Sequence, residues 1–113
     1  MDYYHIWCDL RPGEDDLKFA KNIETYLSHL VSQGMAGGFR VTRRKLGLGP
    51  EGLGEFHIIL ETSGLAQLDA AFQEVARRSG KTEDLHRAVF QVVTRVQFGL
   101  YRDFPDDVRG VEG

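Results

Sequence analysis

Apolar and polar character alternates from Tyr3 to Leu10, with Tyr4, Ile6, Cys8 and Leu10 on one side and Tyr3, His5, Trp7 and Asp9 on the other. A period of two predicts a strand with two unlike faces. Arg11-Pro12-Gly13 interrupts it, and Glu14, Asp15 and Asp16 then place acid where a helix N-terminus favours it. Leu17, Ala20, Ile23, Leu27, Leu30 and Val31 follow at three- and four-residue spacings, which predicts a first helix ended by Gly34. Gly37-Gly38 opens a second strand over Phe39 to Leu46. A glycine-rich turn from Gly47 to Gly54 then leads into a third strand, Glu55 to Glu61. Ser63 is placed to cap a second helix carrying Leu65, Leu68, Phe72, Val75 and Ala76, which Gly80 ends. A short helical turn fits Thr82 to Phe90. In the last strand Val92, Thr94, Val96, Phe98 and Leu100 alternate with Val93, Arg95, Gln97, Gly99 and Tyr101.

The order β-α-β-β-α-(short helix)-β is the split βαβ pattern of a ferredoxin-like α+β fold with a four-stranded antiparallel sheet. Right-handed crossovers put both long helices on one face of that sheet. No helix remains for the other face. Alternation assigns to it Tyr3, His5, Trp7, Asp9, Arg40, Thr42, Arg44, Glu55, His57, Ile59, Glu61, Arg95, Gln97, Gly99 and Tyr101. Such an aromatic patch is larger than a monomer ordinarily leaves bare, so a second copy of the chain is expected to cover it.

Length allows one domain, assigned to residues 1–104, with a polar tail over 105–113. The net charge of −3 is spread along the chain and leaves no basic face for nucleic acid. No stretch reaches the roughly 20 apolar residues of a membrane span, and the acidic Asp2 is unlike a secretory leader. A cytoplasmic protein is expected. Cys8 is the only cysteine, which excludes an internal disulfide and marks it as a small core residue.

Gly47-Leu48-Gly49-Pro50-Glu51-Gly52 spells G-x-G-x-x-G, but a dinucleotide site needs a helix after it, and here a strand follows. Pro50 also removes an amide donor. The segment reads as a hairpin loop. His5 and His57 lie on adjacent antiparallel strands and are candidates for proton transfer, with Asp9 as the orienting carboxylate. With Asp9, Glu55 or Glu61 they offer a two-histidine, one-carboxylate set, yet the spacing carries no metal signature, so neither metal nor nucleotide cofactor is expected. Arg40, Arg44 and Arg95 share their face with Tyr3, Trp7 and Tyr101. Guanidinium groups beside aromatic rings suit an acidic head on an apolar body, a fatty or aromatic acid, with Ile59 and Phe72 as further wall. Arg95, His5 and His57 are expected in one row across the sheet. Pairing between subunits explains the same arginines and carboxylates equally well. Three readings therefore stand: a cofactor-independent enzyme, a carrier of an amphipathic acid, and a structural dimer.

Over Tyr3 to Tyr101 the chain resembles the dimeric α+β barrel superfamily, most nearly the stress-responsive α/β-barrel proteins and more distantly the antibiotic-biosynthesis monooxygenase group. Beside the element order, the resemblance rests on His5-Ile6-Trp7, on Leu10-Arg11-Pro12-Gly13 and on Phe56 to Glu61 before Ser63. His86 stands where such proteins often carry a histidine after the second long helix, without the His-Pro that accompanies it in them. The resemblance implies a homodimer with two sheets face to face and a pocket between sheet and helices. It does not carry an activity with it.

Overall fold

A computed structural model describes residues 1–105. Its elements are β1 (Asp2–Leu10), α1 (Asp16–Ser32), β2 (Gly38–Arg43), β3 (Phe56–Thr62), α2 (Leu65–Ala76), α3 (Gly80–Phe90) and β4 (Val93–Arg102). The four strands form one antiparallel sheet in the order β2-β3-β1-β4, the ferredoxin-like arrangement. The expected tail begins inside the described chain at Pro105, and the rest of it lies outside the described residues.

Ile6 and Cys8 from β1, Phe56, Ile58 and Leu60 from β3, and Val93 from β4 face α1 and α3 and form the core with Phe19, Ile23, Leu27, Leu30 and Val89. Asp15 caps α1 by accepting from the backbone N–H groups of Leu17 (2.9 Å) and Lys18 (3.1 Å). Ile23, Leu27 and Leu30 of the expected stripe are buried, and the stripe differs at its first turn. Phe19 and Tyr26 are buried, whereas Leu17 is 79% exposed and Ala20 is exposed. His29 Nε2 meets the Thr82 hydroxyl at 2.8 Å and ties α1 to α3.

Several boundaries differ from expectation, each for a local reason. β2 ends at Arg43, because Arg43 turns to pair with Asp16 and Glu55 and Leu46 adopts a left-handed φ of 57°. Glu55 precedes β3 and pairs instead with Arg43. Ser63 does not cap α2; Gly64 occupies that position, and the Ser63 N–H donates to Gln67 Oε1 at 2.8 Å. α2 stops at Ala76, since Arg78 turns left-handed at φ 52°. The expected short turn is a full helix, α3, over eleven residues.

The largest departure lies in β4. Trp7 pairs with Gln97 and Asp9 with Thr94, so two residues of β4, Arg95 and Val96, oppose the single Cys8. This is a β-bulge, with Arg95 at φ 53°. It inverts the facing of the strand's first residues. Val93 therefore belongs to the core, where simple alternation placed it on the uncovered face.

Candidate functional site

α2 touches the sheet less closely than α1 does, and its buried residues Leu68 and Ala71 stand outside the main core. The gap between α2, α3 and the sheet is a cleft of about 490 Å³, within the usual range for a small-molecule site. Tyr4, Val96 and Phe98 form its sheet wall. Tyr4 stacks on Phe98 (5.8 Å between ring centres, 11° between planes) and meets Phe72 of α2 edge-on at 5.2 Å. Opposite them, His86 stacks on Phe90 at 4.6 Å, and Tyr26 meets both rings edge-on. Arg78, whose left-handed backbone ends the α2 turn, also lines the cleft.

The electrostatics follow from burial. Burial pushes the Tyr26 phenol up to about 12, helped by Tyr4 and Glu83, so it remains a hydroxyl donor at neutral pH. Burial lowers His86; Glu83 opposes that shift and Arg78 adds to it. His86 is thereby a neutral imidazole with one nitrogen able to take a proton. Glu83 accepts from Arg87 at 3.4 Å through one oxygen, while its Oε2 is buried without a partner among the described residues. No cluster of three or more metal-ligating side chains occurs among the described residues.

The other sheet face holds most of the side chains singled out in the sequence. His5 Nδ1 and His57 Nε2 are 2.8 Å apart, a direct imidazole–imidazole hydrogen bond. Trp7 stacks on His57 at 4.7 Å and on His5 at 5.4 Å, and Tyr101 packs edge-on against His5 at 4.7 Å. Ile59 pairs with His5 and with Arg40, so both border this cluster. Tyr3 donates to Asp103 at 2.6 Å. Burial lowers both histidines, and His5 lowers His57 further.

The expected row of Arg95, His5 and His57 is not formed. His5 lies opposite Ile59 and Gly99, and the bulge carries Arg95 away to pair with Asp9 at 3.1 Å. Asp9 does not orient a histidine either, because its other oxygen accepts the Glu55 N–H at 2.7 Å. Arg44 donates to the carbonyls of Pro50 and Leu53, both at 2.9 Å, and Arg95 reaches the Glu51 carbonyl at 3.4 Å. These two arginines brace the glycine-rich loop. Of the expected ligand contacts, Phe72 alone lines the sheet–helix cleft. The cleft residues the sequence reading left without a binding role are Tyr4, Tyr26, Arg78, Phe90 and Phe98. The i, i+4 spacing of His86 and Phe90 was the legible signal for one wall.

The model of DUF6614, described as a family of unknown function, matches residues 1–112. The chain belongs to that family. No curated protein matches it. Among solved structures this DUF6614 chain is similar to At3g17210 of Arabidopsis thaliana, with a TM-score of 0.68, 13% identity, and 95% of this chain and 99% of that one covered. SnoaB of Streptomyces nogalater, a cofactor-independent oxygenase, gives a TM-score of 0.68 at 9% identity over 93% of this chain and 97% of its own. A dimeric ferredoxin-like protein of unknown function from Thermobifida fusca gives 0.61 at 15% identity over 91% and 92%. At such identities the likeness shows the fold.

Three of the four histidines of the DUF6614 chain, His5, His57 and His86, are lowered from 6.5 by burial first of all. The unfolded chain therefore binds protons before the folded one does, so stability is fully present above pH 6.5 and is lost as the pH falls below it. Urea unfolding is expected to show a lower midpoint at pH 5.5 than at pH 7.5. An unchanged midpoint would mean that none of the three is held neutral by the fold.

Proposed function

We propose that this protein is a homodimer that binds an amphipathic organic acid, with the apolar body inside the sheet–helix cleft and the acidic head at Arg78. The cleft carries this reading: about 490 Å³ walled by Tyr4, Phe72, Phe90 and Phe98, with Arg78 and His86 as its ionisable nitrogen groups. A guanidinium gives a carboxylate charge-assisted hydrogen bonds, and the aromatic walls suit a fatty chain or a flat ring. The neutral imidazole of His86, packed edge-on against the Tyr26 ring, supports proton removal from a bound molecule without metal or nucleotide. The His86 imidazole in the cleft, and not the fold shared with the cofactor-independent oxygenase SnoaB, is what favours an enzyme over a carrier.

The second copy fits the other sheet face, where Tyr3, Trp7, Ile59, Tyr101 and the His5–His57 pair lie together, and dimeric proteins of this fold support dimerisation itself. No helix among the described residues is long and apolar enough to cross a membrane. The buried Cys8 thiol, pushed up to about 11 by burial and Asp9, suits the reducing cytoplasm in which we place the protein.

Calorimetric titration with dodecanoate, 2-naphthoate and their methyl esters tests the cleft. Arg78→Ala is expected to weaken binding of the free acids by about 1.5–3 kcal/mol and to leave ester binding unchanged. Equal binding of the acids by wild type and Arg78→Ala would remove the head-group assignment, and no binding by either would remove the ligand class.

A further inference from the structure

The His5–His57 pair is set apart from the cleft chemistry by its position on the uncovered sheet face. Its two nitrogens face each other at 2.8 Å. Only one proton fits between them: with a second, two N–H groups would point at each other and the pair would have to open. Trp7 stacks on both imidazoles, with planes within 15° of His5 and 12° of His57, and Tyr101 packs edge-on against His5. Opening the pair therefore disturbs the flat aromatic centre of the face.

The charged groups around this centre come from every strand. β1 supplies Asp9, β3 Glu61, β2 Arg40 and β4 Arg95, and Arg44 and Glu55 flank the β2–β3 loop beside Trp7 and His57. The phenols beside it are those of Tyr3 and Tyr101. With Arg43 and Lys45 beside the same loop, the cationic groups named here outnumber Asp9, Glu55 and Glu61, so these groups leave no negative excess on the face while its imidazoles are neutral. None of those carboxylates contacts the pair. Asp9 is held by Arg95 and the Glu55 N–H, and Glu55 is held by Arg43. Protons added to the histidines consequently make the face more positive without a partner. Two copies packed on this face would carry the same excess opposite one another.

We propose that the His5–His57 pair makes the dimer acid-labile, the two sheets docking while the imidazoles are neutral and separating as they take up protons. This rests on the homodimer reading above. Trp7 offers an imidazolium some attraction through its ring face, but a closed interface removes water from four imidazoles at once, and that favours the neutral form.

Sedimentation equilibrium of the full chain at pH 7.5, 6.5 and 5.5, at constant ionic strength, separates the two ideas. A dimer at pH 7.5 whose Kd rises by about tenfold or more per unit between pH 6.5 and 5.5 is expected, since each proton taken up on dissociation contributes one decade per unit. That window lies above the ordinary range of the carboxylates. A monomer at pH 7.5 overturns the homodimer reading and the switch with it. A dimer of equal Kd at pH 7.5 and 5.5 overturns the switch alone. The double variant His5→Gln/His57→Gln should dimerise without pH dependence, and a retained tenfold dependence in it counts against the pair. Should that variant fail to fold, imidazole titration of the wild-type protein by NMR decides, above and below the dimer Kd. Both histidines are expected to titrate lower in the dimer, and identical titration in the two states refutes the proposal.

Discussion

Gly54→Ala is expected to lower unfolding stability by about 1–3 kcal/mol or more, the range seen when a packed site is overfilled. Gly54 is buried where the β2–β3 loop passes over β1. A Cβ there would sit 2.5 Å from both the carbonyl carbon and the carbonyl oxygen of Cys8 and 2.8 Å from its Cα. Backbone cannot swing aside as a flexible side chain can, so β3 must move off β1. The Glu55 N–H to Asp9 bond at 2.7 Å and the Arg44 N–H to Glu55 carbonyl bond at 2.8 Å lie next to the clash and go with it. Gly52→Ala is the control, because a Cβ there meets nothing within 4 Å. Urea unfolding of the two variants beside wild type checks the pair, and equal midpoints for all three would show that the loop entry yields without cost.

Trp7→Arg is expected to abolish dimerisation while leaving the monomer folded. Trp7 is only partly buried within one chain, so the core does not depend on it. In a closed interface the new guanidinium would have no counter-charge beside it in its own chain, because Asp9 and Glu55 already have partners and Glu61 lies opposite Tyr3, four positions along β1. An unpaired buried charge costs about 3–5 kcal/mol, which raises Kd by roughly a hundredfold or more. Gly99→Val tests the same platform more gently, since its Cβ would lie 3.2 Å from the Trp7 ring and tilt it. Size-exclusion chromatography with light scattering reads the mass, and circular dichroism checks the fold. A Trp7→Arg protein of unchanged dimer mass would move the interface to another surface.

The two faces of β1 were legible because alternation is a local property of the strand, and every one of Tyr3, His5, Trp7 and Asp9 is on the expected side. What those side chains touch was not legible. The His5–His57 contact is diagonal, with His5 opposite Ile59 and His57 opposite Trp7. A different register would keep all four on the same face and break the contact. Arg95 shows the same limit more sharply. Its pairing with Asp9 depends on one extra residue in β4, and Arg95-Val96 carries no glycine or other local mark of a bulge.

Sequence periodicity by itself determined the element order, the ferredoxin-like class, the bare sheet face and the absence of a helix after Gly52, since each follows from residues within a few positions of one another. Tertiary structure decided the rest. Phe19 rather than Leu17 enters the core at the first turn of α1, because the docking of the helix decides which edge of the stripe is covered there. The sheet–helix cleft exists because α2 stands off the sheet between Tyr4, Phe98 and α3, and that distance is a sum over packing contacts far apart in the chain. Arg78 and His86 line one cavity through the left-handed turn at Arg78, a backbone state set by the helices it joins and by no feature of the arginine itself.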